Sequence, residues 1–291
     1  MIPGPFEYHR PSRLEEAVAI LGAHGDDALV LAGGHSLIPM MKLRMAVPEH
    51  LVDLQALADL RFIRQAGDML EIGAMTTQAE VLASDLVAQA CPILQEAGAL
   101  IADPQVRARG TIGGNVANGD PGNDMPAVML ALDARFALAG PDGERELPAR
   151  GFYQSSYVTA RQDAEILTAI RIPLPPMAAG EARGWAYEKQ KRKVGDYATA
   201  AAAVVLTMSG GTCRSVSIGL TNLAPGPLLA ADAATALVGS SLDKAALDEA
   251  VAAARAITEP SSDGRGPADY RTHLAGVMLR RAVLRAAQRA S

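Results

Sequence analysis

Apolar residues at Leu14, Ala17, Val18 and Leu21 recur at helical spacing and predict a first helix. Ser12 reads as its N-cap, with Glu15 completing a capping box, and Gly22 or Gly25 as its end. Short apolar runs flank it at residues 6–9, at Ala28–Leu31 and at His50–Asp53, so the chain opens as a small α/β unit. Residues 60–64 and Met69–Gly73 predict two strands joined through Gly67 and Asp68. Thr77 then caps a helix over 78–87, with Glu80 three residues on. A further helix is predicted over 91–100, behind Pro92. The stretch from 102 to 126 offers no regular period, although apolar segments flank it. Helical spacing returns over 126–132. Strands follow over 134–139, after Gly143, and over 166–172, until Pro173, Pro175 and Pro176 mark a boundary. Beyond it, residues 185–190, 199–208 and 215–220 predict three antiparallel strands, the last two joined through Gly210 and Gly211. Three alanine-rich helices close the chain, over 230–237, 243–256 and 271–287.

Composition narrows the classes. The chain has 291 residues, of which 49% are hydrophobic and 20% charged, so it can bury a core and is not disordered throughout. Its net charge of −5 argues against a nucleic-acid partner, which needs an excess of Lys and Arg. Two cysteines, Cys91 and Cys213, are too few for a plant-type iron–sulfur cluster and give no disulfide framework. The longest apolar run, 198–208, is too short to span a bilayer, and the N-terminus has no signal-peptide core. A cytoplasmic protein is expected, with any membrane attachment peripheral and made through partners. The five histidines show neither HExxH nor paired spacing, so no metal site is expected.

The glycines are unevenly placed. One pair stands in Ala32, Gly33, Gly34, His35 and Ser36, directly after a predicted strand. Glycines there permit close backbone approach, exposed N–H groups can cradle a diphosphate, and Ser36 adds a hydroxyl. The pattern is neither a Rossmann fingerprint nor a Walker A loop. A plain tight turn is the competing reading. The second pair stands in Thr111, Ile112, Gly113, Gly114 and Asn115, and both pairs could close on one diphosphate. Asp124 reads either as an acceptor for sugar hydroxyls or as a cap ahead of Pro126. The basic run holding Lys189, Lys191, Arg192 and Lys193, ending at Tyr197, reads either as an anion-holding surface or as a solvated face.

These residues also carry a resemblance. AGGHSLIPMMKLR, GAMTTQAE, IADPQVRARGTIGGNVANGDPGNDMPA, KRKVGDYATAAAAVVLTMSGG and SDGRGPADYRT resemble the FAD-binding medium subunits of the molybdenum hydroxylases. Within that family they look most like the aerobic carbon monoxide dehydrogenase branch. The resemblance implies an α+β fold. A two-lobed FAD-binding domain of the vanillyl-alcohol-oxidase (PCMH) type would cover 1–177, with lobes of about 1–56 and 57–177. A domain with a three-stranded antiparallel sheet and a helical bundle would cover 178–291. It implies that both glycine motifs bind the FAD diphosphate, that Asp124 lies by the ribityl or adenosine portion, and that Leu167 and Lys189 lie near the isoalloxazine. Tyr197 would cover one ring face. No residue of this chain would be catalytic on substrate. A large partner subunit would carry molybdopterin cytosine dinucleotide with Mo and Cu, and a small one two [2Fe–2S] clusters, in a dimer of heterotrimers. Electrons would leave FAD for an acceptor, expected to be a quinone. A hydroxylase for a purine, nicotinate-like or aromatic CoA substrate, and a non-catalytic assembly protein with a decayed flavin fold, are the other readings.

Overall fold

The computed structural model describes residues 2–290, so the expected outer limits at 1 and 291 lie outside it. The first lobe runs β1 (Glu7–His9), α1 (Leu14–His24), β2 (Ala28–Leu31), α2 (Leu37–Lys42) and β3 (His50–Asp53). Its three strands are parallel in the order β1-β3-β2, which requires the helical crossovers the sequence supplies. Ala17, Val18 and Leu21 of α1 are buried in this lobe's core with Val52. Ser12 does not cap α1. Arg13 holds the cap position, and Ser12 instead donates its N–H to the Glu16 carboxylate at 3.1 Å. Gly25 ends the helix at φ 51°, a conformation that favours glycine.

The second lobe begins with the hairpin β4 (Ile63–Ala66) and β5 (Met69–Gly73). Six short helices follow: α3 (Gln78–Ala83), α4 (Asp85–Ala90), α5 (Ile93–Gly98), α6 (Pro104–Arg109), α7 (Ile112–Ala117) and α8 (Asp124–Ala131). Thr77 and Glu80 form the expected capping box. The single helix expected after Thr77 breaks at Ser84, whose hydroxyl caps α4. The stretch without a period holds two helices, α6 and α7, capped by Asp103 and Thr111. Each is six residues long, too short to show a helical period. The lobe ends in β6 (Arg135–Gly140), β7 (Gly143–Pro148), β8 (Tyr153–Ser155), β9 (Val158–Thr159) and β10 (Ile166–Pro173). Its main sheet is antiparallel, in the order β4-β5-β10-β6-β7.

The last domain contains β11 (Glu181–Gln190), β12 (Ala200–Ser209) and β13 (Thr212–Thr221), antiparallel as expected. A two-residue fourth strand, β14 (Leu228–Leu229), extends the expected three-stranded sheet; Gly226 and Pro227 hide it from a periodicity argument. Helices α9 (Ala231–Leu237), α10 (Lys244–Ala256) and α11 (Ala268–Arg289) cover one face. Strand β12 is buried on both faces. Ala200, Ala202, Val204 and Leu206 face the helices, while Ala201 and Ala203 join the core of the second lobe. The strand's two-residue period divides one alanine run between two cores. All eight residues of α8 are buried, wedged against this sheet. Among the described residues, no helix is long and apolar enough to cross a membrane.

Glycine sets how closely α8 meets the sheet. A Cβ on Gly219 of β13 would stand 2.0 Å from the Ala127 carbonyl oxygen of α8, a backbone atom that cannot swing aside. Gly219→Ala should therefore destabilise the protein by roughly 1–3 kcal/mol through overpacking. A thermal midpoint several degrees lower is expected, and an unchanged midpoint would count against this close contact.

Candidate functional site

A cleft of about 570 Å³ opens where the two lobes and the last domain meet. That is within the usual range for a small-molecule or cofactor site. The first lobe contributes Ala32, Gly33, Gly34, His35 and Ser36, in the connection from β2 to α2. The second contributes Thr111, Gly113, Gly114, Asn115, Asp124 and Leu167, and the last domain adds Lys189 and Tyr197. Residues far apart in sequence thus line one cleft.

The two glycine motifs touch each other. A Cβ on Gly33 would stand 2.4 Å from the Arg109 carbonyl oxygen and 2.7 Å from Gly110 Cα. Glycine at 33 is therefore required for backbone contact between the lobes, beside any role toward a ligand. Gly34 has φ 77° and its carbonyl accepts from the Ile38 amide, turning the chain into α2. The Ser36 hydroxyl does not cap that helix. A Cβ on Gly114 would lie 2.8 Å from Thr111 Oγ1 and 3.6 Å from Ala32 Cβ.

The second motif differs from the expected open loop. Thr111 caps α7 by accepting the Gly114 amide at 3.0 Å. The Ile112 amide donates to the Thr76 carbonyl and the Gly113 amide to that of Ala74, at 2.9 and 3.0 Å. A Cβ on Gly113 would stand 2.5 Å from Ala74 Cβ, so this glycine serves the seating of α7. Three amides read as a diphosphate cradle are thus already occupied. Ile112 itself is fully buried in the core and is not among the residues that line the cleft, so its side chain is not placed toward a ligand there. Its branched apolar side chain faces the core because Gly113 lets the helix lie flat on residue 74.

Other polar groups line the cleft without partners. Gln78 is 2% exposed, and among the described residues neither its side-chain nitrogen nor its oxygen has a hydrogen-bond partner. The same holds for Asn115 Oδ1. Buried amides are costly when unpaired, so their presence in a ligand-sized cleft fits a polar ligand. Gln78 lies inside the GAMTTQAE block, but the first turn of a capped helix carries no signal that its side chain faces a cleft.

Asp124 is the electrostatic centre of the wall. Its Oδ2 accepts from Lys189 Nζ at 2.7 Å and its Oδ1 from the Tyr187 hydroxyl at 2.5 Å. Asn123, not Asp124, occupies the N-cap position of α8. Tyr187 and Lys189 are two apart on β11 and so share a face. Burial pushes the Asp124 carboxyl above its ordinary range, against the opposing pull of Lys189 and Tyr187. Lys189 Nζ also donates to the Leu100 carbonyl at 3.2 Å. Its amine is therefore engaged within the protein, unlike the free cation that the basic run suggests.

Tyr197 sits at the mouth, 42% exposed, with its ring over Gly122. A Cβ there would lie 2.9 Å from the ring's Cδ1. The Arg265 guanidinium stands 5.7 Å from the ring centre. Tyr157 also lines the cleft; partial burial and Asp120 push its phenol up to about 12. Leu167 lies where the pairing of β10 with β6 shifts register. Such bulges often re-aim a side chain beside a functional site.

Comparison with known proteins accords with this geometry. The family described as the FAD binding domain in molybdopterin dehydrogenase matches residues 4–175. The CO dehydrogenase flavoprotein C-terminal domain matches residues 185–286. The carbon monoxide dehydrogenase medium chain of Afipia carboxidovorans is 62% identical over 290 residues, spanning 100% of this chain and 99% of that one. Its counterpart in Hydrogenophaga pseudoflava is 50% identical over 283 residues, 97% of each chain. A crystal structure of the cyanide-inactivated Cu,Mo-CO dehydrogenase contains a chain that superposes with a TM-score of 0.97, covering 100% of both chains at 62% identity. The full-length agreement in sequence and fold means that this chain belongs to the FAD-binding flavoprotein subunits of the molybdenum hydroxylases, among the carbon monoxide dehydrogenase medium chains.

Proposed function

We propose that this chain is the electron-relay subunit of an aerobic carbon monoxide dehydrogenase. The observation that carries the reading is the cleft between three structural units, with the side-chain amide of Gln78 and the Oδ1 of Asn115 inside it, both without a partner among the described residues. The 62% identity to a carbon monoxide dehydrogenase medium chain over its whole length points to the substrate of the complex. The net reaction would be CO + H2O → CO2 + 2 H+ + 2 e−. Substrate oxidation would take place on a large partner subunit carrying molybdopterin cytosine dinucleotide with Mo and Cu. Two [2Fe–2S] clusters would sit in a small subunit, which suits a chain with only two cysteines. The assembly would be a dimer of heterotrimers in the cytoplasm, peripheral to the membrane where the acceptor is a quinone.

Bound in the cleft, FAD would supply a carrier that accepts electrons singly and releases them in pairs. The chain's own residues supply position and environment. Ala32, Gly33, Gly34, His35 and Ser36 would face the diphosphate with a side-chain-poor backbone and one hydroxyl. Thr111, Gly113, Gly114 and Asn115 would form the opposite wall by shape more than by free amides. Gln78 and Asn115 would give and accept hydrogen bonds now unmade. Lys189, held by Asp124, would fix the inner wall with its charge largely balanced. Leu167 would exclude water from the apolar side, and Tyr197 would shield the mouth.

The reading is tested by purifying the assembled complex from its host, recording its spectrum and metal content, and assaying it with carbon monoxide. One flavin per copy of this chain is expected, together with molybdenum, copper, iron and CO-dependent reduction of a quinone. A complex that lacks flavin, or that oxidises a purine or nicotine-like substrate but not CO, would overturn it.

The buried pair gives a separate expectation. Lys189→Met strips the counter-charge from buried Asp124 and should cost about 3–5 kcal/mol at neutral pH. In the folded variant the carboxyl's range lies still further above that of the unfolded chain, about 3.9. Falling pH then protonates the folded state preferentially and restores stability. The loss of thermal midpoint relative to the unsubstituted protein should be smaller at about pH 5 than at pH 7. Equal losses at both would contradict the charge argument.

A further inference from the structure

Three of the five histidines, separate in the sequence, converge in the first lobe, and none of the three lines the cleft. His9 lies on β1, His50 on β3, and His24 ends α1. The two-residue strand period puts Glu7 and His9 on one face of β1, and the parallel register sets Glu7 beside His50. Tyr8 points the other way, where its hydroxyl bonds Asp53. The pairing that sequence spacing does not show is thus produced by strand register.

We propose that Glu7, His9 and His50 form a binding site for a divalent transition-metal ion, with Zn2+ as the best-suited occupant. His9 Nε2 lies 3.0 Å from His50 Nδ1. Glu7 carboxylate oxygens lie 4.0 Å from His9 Nε2 and 3.6 Å from His50 Nδ1. Zinc–ligand bonds of about 2.0–2.1 Å in tetrahedral array place neighbouring ligand atoms roughly 3.3 Å apart. The triangle already brackets that spacing, so one ion can reach all three atoms with small side-chain adjustments. Two imidazoles and a carboxylate are a donor set that zinc favours, with water completing the fourth position.

The surroundings fit a ligand-holding site. The His24 ring stacks on that of His50, with centroids 3.6 Å apart and planes 26° apart, which restrains the His50 ring. The His9 and His50 side chains are 20% and 15% exposed, whereas Glu7 is 68% exposed and leaves a path for entry. Without metal, the short nitrogen–nitrogen contact requires a proton on one of the two facing atoms. On metal binding that ring would carry its proton on the other ring nitrogen, because a metal-bound imidazole nitrogen carries none.

The test is equilibrium dialysis of the full-length protein against Zn2+ at neutral pH, with bound zinc counted per chain and its coordination read by X-ray absorption. One zinc per chain with two imidazole ligands is expected. His9→Ala and His50→Ala should each weaken binding about tenfold or more. Glu7→Gln, on an exposed side chain that carries little folding risk, should weaken it severalfold while flavin content stays unchanged. Absence of zinc uptake, or zinc affinity unaltered in Glu7→Gln and in the folded histidine variants, would overturn the proposal.

Discussion

Backbone contact at Gly33 is the constraint on which the cleft depends. With no side chain there, the connection leaving β2 can lie against the carbonyl of Arg109 and the Cα of Gly110. Any Cβ would force the lobes apart, because both neighbours are backbone. The same device recurs elsewhere, at Gly113 and Gly219 among others. Gly113 lets α7 settle on Ala74, and Gly219 lets the last domain settle on α8. These three glycines therefore act first as contact points between the chain's own parts. A ligand-sized space between the lobes follows from that geometry.

Charge holds the inner wall in the same place. Asp124 opens a helix buried along its whole length, and its partners Tyr187 and Lys189 come from the neighbouring domain. Isolated, such a carboxylate would be costly to bury. Paired with an amine and a phenol, it ties α8 to β11 at the point where both face the cleft. Packing at Gly219 and the polar contact at Asp124 thus join the same two elements of structure, α8 and the last domain's sheet. The apolar contact sets their separation, and the ion pair gives them a preferred register.

Much of this was legible in the sequence, for identifiable reasons. The strands at Ala28–Leu31 and His50–Asp53, the Thr77 capping box and the three last helices carry strong local signals, and each forms. The helices α6 and α7 were not visible, because six residues cannot establish a period. Both glycine motifs point to the cleft, but that the amides of Ile112 and Gly113 bond the carbonyls of Thr76 and Ala74 depends on tertiary contact and is not written locally. Ile112 stands inside the glycine motif, yet its side chain belongs to the core. Gln78 and the histidine cluster carry no local signal, because each acquires its meaning from distant parts of the chain. Local chemistry was readable; which groups remain unpaired after folding was not.

The most direct measurement of the central claim is flavin occupancy in Gly33→Ala, taken from the flavin-to-protein absorbance ratio of the purified protein. Gly22→Ala is the matched control, since a Cβ at Gly22 meets only Ala164 Cβ at 3.9 Å, an ordinary contact. If the lobes are held at their spacing by backbone contact at Gly33, the first variant loses most of its flavin and the second keeps it. Full flavin occupancy in Gly33→Ala would contradict the account.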